Sequence, residues 1–142
     1  MNKHVLAAED GDGDFFMLRR AFSSAGIPCD LHRARDGAEA LGYLLGDGRF
    51  ADRQKFPVPE LIILDLVMPK LSGLDVITYS RQIYPDLPIV VVSACTMDGG
   101  MKQALELGAS ECFVKPITFA GLMKIARNID ESWLSQPVAV HA

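Results

Sequence analysis

Short apolar runs alternate along the chain with longer stretches of helical period. The runs fall at residues 5–8, 29–34, 61–64, 87–92 and 112–114, and the helical stretches at 14–25, 37–45, 74–83, 101–107 and 119–133. Phe15, Leu18, Phe22 and Ala25 share one helical face, and Leu122, Ile125, Ala126, Ile129 and Trp133 share another. A strand followed by a helix, repeated five times, predicts an α/β fold: a parallel sheet covered by helices on both faces. Residues 61–64 and 89–92 are apolar throughout, as central strands covered on both sides must be. Residues 29–34 mix in Asp30, His32 and Arg33 and read as an edge strand, which gives the order 2-1-3-4-5. The loop GDGRFADRQKFPVP, residues 46–59, is long, and Pro57 and Pro59 hold the third strand off until Glu60. Gly99 and Gly100 fall in the expected first turn of the fourth helix and weaken it. A single domain over residues 1–134 and a loose tail over 135–142 are expected.

Composition narrows the class. With 142 residues, 49% of them hydrophobic and 23% charged, the chain can bury a full core. Its 18 acidic and 14 basic residues give a net charge of −4, which argues against nucleic acid as the main partner. No run of 18 apolar residues exists, and Met1-Asn2-Lys3-His4 lacks the apolar core of a signal peptide, so a cytoplasmic location is expected. Cys29, Cys95 and Cys112 show no metal-ligand spacing and read as reduced, buried thiols. His4, His32 and His141 read as solvated, as do Arg49, Arg53 and Lys55 in the long loop, and Trp133 as a packing anchor.

The chemistry lies at the strand ends. Open parallel sheets bind ligands beyond the carboxyl ends of their strands, where the strand order reverses. The first strand ends on Glu9-Asp10 and the third on Asp65, so topology brings three carboxylates to one mouth. The fourth strand ends on Ser93 and the fifth on Lys115-Pro116. Two like charges about 4 Å apart repel by about 4 kcal/mol at an effective dielectric of about 20. Such a mouth calls for a hard divalent cation, and Mg²⁺ suits a few carboxylates shared with water and phosphate oxygens. Asp65 would be a carboxylate nucleophile toward a phosphoryl group, with the cation and Lys115 neutralising charge and Ser93 donating a hydrogen bond.

Other readings of these residues are weaker. A calcium loop starting at Asp10 would place Phe15 where glycine is needed and Ala21 where glutamate is needed. Asp12 reads as the N-cap of the first helix and Asp14 as part of its first turn. An aspartate-nucleophile, Mg²⁺-dependent phosphohydrolase stays open as the alternative function, although Val67 stands where it would want its general acid. A flavin mononucleotide carrier would need a phosphate loop where Glu9-Asp10-Gly11-Asp12 stands.

Glu9-Asp10, LDLVMPKLSG around Asp65, Ser93-Ala94 and Lys115-Pro116, in that order and at strand ends, resemble the receiver domain of two-component response regulators. The resemblance spans residues 3–134 and implies a flavodoxin-like (βα)5 three-layer sandwich. It implies that Asp65 is the phosphoacceptor, that Glu9, Asp10, Asp65 and the backbone carbonyl of Val67 hold Mg²⁺, and that Ser93 and Lys115 contact the phosphoryl group. Pro116 would follow a cis peptide bond. The chain would catalyse only its own phosphorylation and dephosphorylation. The donor implied is a histidine of a sensor kinase. The long loop before Pro57 narrows the likeness to single-domain regulators paired with bacteriophytochrome-like kinases. Output would pass through an unknown downstream protein or onward phosphotransfer, with no DNA or membrane contact, and a homodimer stays open. One departure stands out: the position three before the lysine, often aromatic in receivers, is Cys112, with Phe113 on the opposite strand face.

Overall fold

A computed structural model describes residues 2–135, without the side chains of Met97 and Asp98. Five strands, β1 Lys3–Ala8, β2 Cys29–Ala34, β3 Leu61–Leu64, β4 Ile89–Ser93 and β5 Glu111–Val114, form one parallel sheet in the order β2-β1-β3-β4-β5. Five helices connect and follow them: α1 Asp12–Ser24, α2 Gly37–Leu45, α3 Gly73–Ile83, α4 Lys102–Leu107 and α5 Phe119–Ile129.

The period of the strands sorts the core into two layers. Leu6, Ala8, Ile62, Leu64, Ile89 and Val91 face α2, α3 and α4, where Tyr43, Leu44, Val76, Ile77 and Ala104 are buried. Val5, Ala7, Leu61, Ile63, Val90 and Val92 face α1 and α5, where Leu18, Phe22, Ile125 and Ile129 are buried. Asp36, Ser72 and Thr118 cap α2, α3 and α5 by accepting from the N–H groups of Glu39, Asp75 and Gly121. No helix among the described residues is long and apolar enough to cross a membrane.

Several expectations need correction. Asp12 is not an N-cap: Gly11 holds that place, and the Asp12 carboxylate turns instead to Arg33, 2.7 Å away. Gly99 and Gly100 do not form a weak first turn of α4. They lie in a π-type turn, Met97–Met101, in which Gly100 takes φ 131°, a left-handed value that stops the helix from starting before Lys102. The last helix widens into a second π-type turn, Asp130–Leu134, where Trp133 donates to Glu111 at 3.1 Å. No cis peptide bond occurs among the described residues, so the bond before Pro116 is trans, the form an X–Pro bond favours by about 0.5–1 kcal/mol when nothing selects the other. The three thiols are free but half-buried.

His4 and His32 are half-buried rather than fully solvated. Their ring nitrogens lie 3.0 Å apart across neighbouring strands, and burial, then the nearby His4, pushes His32 below the usual imidazole value. His141, and the tail beyond Ser135, lie outside the described residues.

Arg53 is not part of a solvated face either. Its guanidinium donates to the carbonyls of Tyr43 (2.9 Å), Leu44 (3.0 Å) and Phe56 (3.1 Å), closing the C-terminal end of α2 with the long loop folded over it. Beneath it Phe56 packs edge to face against Tyr43 and Phe50, whose own rings are tilted to each other by 49°. Arg49, by contrast, makes an exposed pair with Glu39. Arg53→Ala is expected to cost about 2 kcal/mol, because it removes three hydrogen bonds from a charged donor, although Tyr43 O keeps the Gly46 N–H and Leu44 O keeps the Tyr84 hydroxyl. Arg49 also lies over the Phe50 ring, 4.2 Å from its centroid, and Arg49→Ala should cost at most about 1 kcal/mol. Thermal melts of the two variants check the contrast, and equal losses would show that Arg53 caps nothing.

Candidate functional site

Register sets the site. Ala8 on β1 pairs with Leu64 on β3, so the next residues out, Glu9 and Asp65, emerge side by side. Both are buried, at 7% and 6% exposure, while Asp10 is exposed at the rim. Carboxylate oxygens of Glu9, Asp10 and Asp65 all lie within 4.8 Å of one another. This acidic cluster can bind a divalent metal: its donors are hard oxygens, and its charge exceeds what the nearby cation offsets.

That cation is Lys115, at the exit of β5. Its ammonium donates to Asp65 Oδ2 at 2.7 Å, Glu9 Oε1 at 2.7 Å and Asp14 Oδ2 at 2.9 Å. Burial pulls the ammonium down, but the hydrogen bonds to Asp65, Glu9 and Asp14 together outweigh it and lift the group above the usual lysine value. Glu9 is pushed up to about 7, chiefly by burial and further by the Asp65 charge, against the hydrogen bonds from Lys115 and the Gly11 N–H.

Asp65 is held from the other side as well. Its Oδ1 accepts from Ser93 Oγ at 2.7 Å and from the Val67 N–H at 3.1 Å. The Ser93 hydroxyl is fully buried at the end of β4.

The loop after Asp65 is fixed at two close approaches. A Cβ on Gly73 would meet the Asp65 carbonyl at 2.5 Å and Leu66 Cα at 2.6 Å, so only glycine lets α3 start against this backbone. A Cβ on Gly37 would collide with the Leu71 carbonyl. Between these contacts Lys70 turns the chain at φ 69°.

The structure thus brings together Glu9, Asp10, Asp65, Ser93 and Lys115, every residue whose side chain the sequence placed here. No histidine joins them among the described residues. Two participants were not assigned. Asp14, read as helix-start charge, is a third partner of Lys115. Arg33, read only as an edge-strand polar residue, donates to the carbonyls of Glu9 and Asp10, both at 3.1 Å. Its one signal in the sequence is a long cation near the end of the strand beside the acid-bearing one. Beside the site, a cavity of about 210 Å³ runs between α1 and the start of α5, walled by Leu18, Ile63, Val92, Phe119 and Leu122 and lined also by Lys115.

Comparison with known proteins places this arrangement. Residues 5–127 match the model of the response regulator receiver domain. A response regulator of red light signaling in R. palustris, RPA3017, has a similar structure, with 33% identity, a TM-score of 0.87 and coverage of 95% of this chain and 96% of that one. The phosphorylated cyanobacterial phytochrome response regulator RcpA is 27% identical, with a TM-score of 0.86 and coverage of 97% and 98%. The Mn²⁺-bound form of the response regulator Rcp1 is 28% identical, with a TM-score of 0.81 and coverage of 96% and 97%. Rcp1 of Synechocystis sp. aligns at 29% identity over 135 residues, covering 93% of this chain and 89% of its own. With its match to the family model and the flavodoxin-like sheet order, this chain belongs to the response regulator receiver domain family.

Proposed function

We propose that this protein works as a single-domain response regulator that takes a phosphoryl group from a histidine of a sensor kinase onto Asp65. The observation that carries the reading is the state of the Asp65 carboxylate. It is buried beside an acidic pair, yet three donors (Ser93 Oγ, the Val67 N–H and Lys115 Nζ) hold it in place.

The proposed step is a displacement at phosphorus. An Asp65 oxygen forms the new O–P bond as the bond from phosphorus to the donor's imidazole nitrogen breaks, and that nitrogen keeps the electron pair. Little covalent work falls to the protein, whose task is to place and stabilise charge. Lys115 faces the side on which negative charge builds, and its three carboxylate contacts give it partners to exchange for a phosphoryl oxygen. Ser93, already on Asp65, can pass its hydrogen bond to the phosphoryl group.

Glu9, Asp10, Asp65 and the Val67 carbonyl would hold the cation, which we take to be Mg²⁺. When bound it supplies positive charge to the phosphoryl oxygens. Hydrolysis of the acyl phosphate at the same site would return the resting state, so the chain turns over no separate substrate. A phosphohydrolase reading is weaker, because Val67, two residues past Asp65, offers no acid to a leaving group. Similarity to RcpA, a phytochrome response regulator, and to RPA3017, of red light signaling, supports a phytochrome-like kinase as donor. The signal would leave through altered protein–protein contacts or onward phosphotransfer.

Incubation with acetyl phosphate and Mg²⁺, followed by intact-mass measurement, tests the reading. The wild type should gain one phosphoryl group and Asp65→Asn none; labelling of the variant at wild-type stoichiometry would reject the acceptor. Chelating the metal should slow labelling by about 100-fold or more, the scale of losing one electrostatic stabiliser. Lys115→Ala should still accept the group but lose most of the change in amide exchange that phosphorylation brings to the wild type. A variant with the full change would leave Lys115 without its role.

A further inference from the structure

Backbone pairing between β1 and β2 ends before the acidic pair does. The last registered residues are Ala8 and Ala34, and one further bond runs from the Glu9 N–H to the Ala34 carbonyl at 3.0 Å. The carbonyls of Glu9 and Asp10 lie past this point. Arg33 serves both: Nε donates to Glu9 O and Nη2 to Asp10 O, each at 3.1 Å, while Nη1 donates to Asp12 Oδ1 at 2.7 Å. The guanidinium also lies over the Phe15 ring, 5.0 Å from its centroid. One side chain thus extends the β1–β2 ladder by two residues and ties it to the first turn of α1.

We propose that Arg33 is a positioning residue of the divalent-cation site, fixing the backbone from which the Glu9 and Asp10 carboxylates reach a metal. This rests on the reading of those carboxylates as metal ligands. Two effects of an arginine here oppose each other. Its charge repels an incoming cation, and its fork orders the ligands. The Asp12 carboxylate, 2.7 Å away, offsets the charge and leaves the ordering in place. The Arg33 side chain is only 14% exposed, and although its bonds to Asp12 and to the Asp10 carbonyl reach the surface, the one to the Glu9 carbonyl is half-buried. A lysine could not replace it, because a single ammonium cannot match three acceptors spread along a turn.

The sign of one measurement separates the two effects. Mn²⁺ binding, followed by the paramagnetic resonance of the free ion, should weaken about tenfold in Arg33→Met, the scale expected when a group that orients metal ligands is lost. If charge alone mattered, removing it would tighten binding, and either tighter or unchanged binding would overturn the proposal. Arg33→Lys should fail to restore affinity; full restoration would also overturn it.

Arg53→Ala, remote from the site, is the stability control and should bind Mn²⁺ as the wild type does. A loss there equal to that of Arg33→Met would reduce the effect to general destabilisation and overturn the proposal. Amide exchange in the metal-free protein gives a reading independent of the ion. Protection at residues 10–14 should fall in Arg33→Met, and unchanged protection would sink the tether. A wild type that bound no Mn²⁺ would reject the metal reading of the carboxylates, and the tether would then stand or fall on exchange alone. If Arg33→Met does not fold, Arg33→Lys carries the same comparisons.

Discussion

One lysine shared among three carboxylates is the constraint on which this molecule turns. The β1–β3 register puts Glu9 and Asp65 out together past Ala8 and Leu64, and no choice of rotamer would part them far. Lys115 arrives from the exit of β5, two strands beyond β3, and its ammonium reaches both carboxylates and Asp14. One positive charge cannot balance Glu9, Asp14 and Asp65 together with Asp10 at the rim. Burial makes that excess charge costly, and it pushes the Glu9 carboxyl up to about 7. A pocket in this state is poised for a second cation, and an arriving phosphoryl group would find donors already aimed at its acceptor.

The scaffold treats the two flanks of Asp65 differently. Toward β1 and α3 the backbone is pinned. Gly73 and Gly37 admit close approaches that any side chain would break, and Arg33 braces the acidic turn. Toward β4 the same carboxylate is bonded to Ser93, and a few residues on the chain enters a π-type turn with Gly100 at a left-handed φ. Cys112 Sγ touches the Met101 carbonyl of that turn at 3.9 Å, and α4 beyond it spans six residues. Cys112 packs with the α3 and α4 layer and Phe113 with the α1 and α5 layer. At the position where many receivers carry an aromatic ring, this chain therefore presents a small thiol to the turn behind Ser93.

Much of this was legible in the sequence, and the reason is physical. The third strand and α2 match their expected bounds, because an apolar run behind Pro57 and Pro59 and a helical stretch behind the Asp36 cap leave little room for another assignment, and the polar-mixed second strand keeps its expected bounds as well. The site was legible because strand-end positions in a parallel sheet converge by topology alone, whatever the loops do. Side chains whose partners are distant in sequence were not legible. Arg53 finds carbonyls in α2, His4 finds His32 on the neighbouring strand, and Arg33 finds Glu9 from 24 positions away. In composition each is only a polar residue on an edge or in a loop. Asp12 misled for a related reason: a helix-start aspartate caps its own helix only when no stronger donor competes, and Arg33 competes at 2.7 Å.

The two cations at this mouth divide their work according to their chemistry. Lysine carries a compact charge with rotatable donors, so the Lys115 contacts with Glu9, Asp14 and Asp65 can be exchanged one for another as charge at the site changes. Arginine carries a planar fork, and at position 33 its directions are matched to two carbonyls and a carboxylate that need not move. Exchanging the two residue types would put an inflexible fork where charge must be redistributed and a mobile point charge where geometry must be kept. The site needs both kinds of cation because its carboxylates must be fixed in position and yet remain free to trade partners.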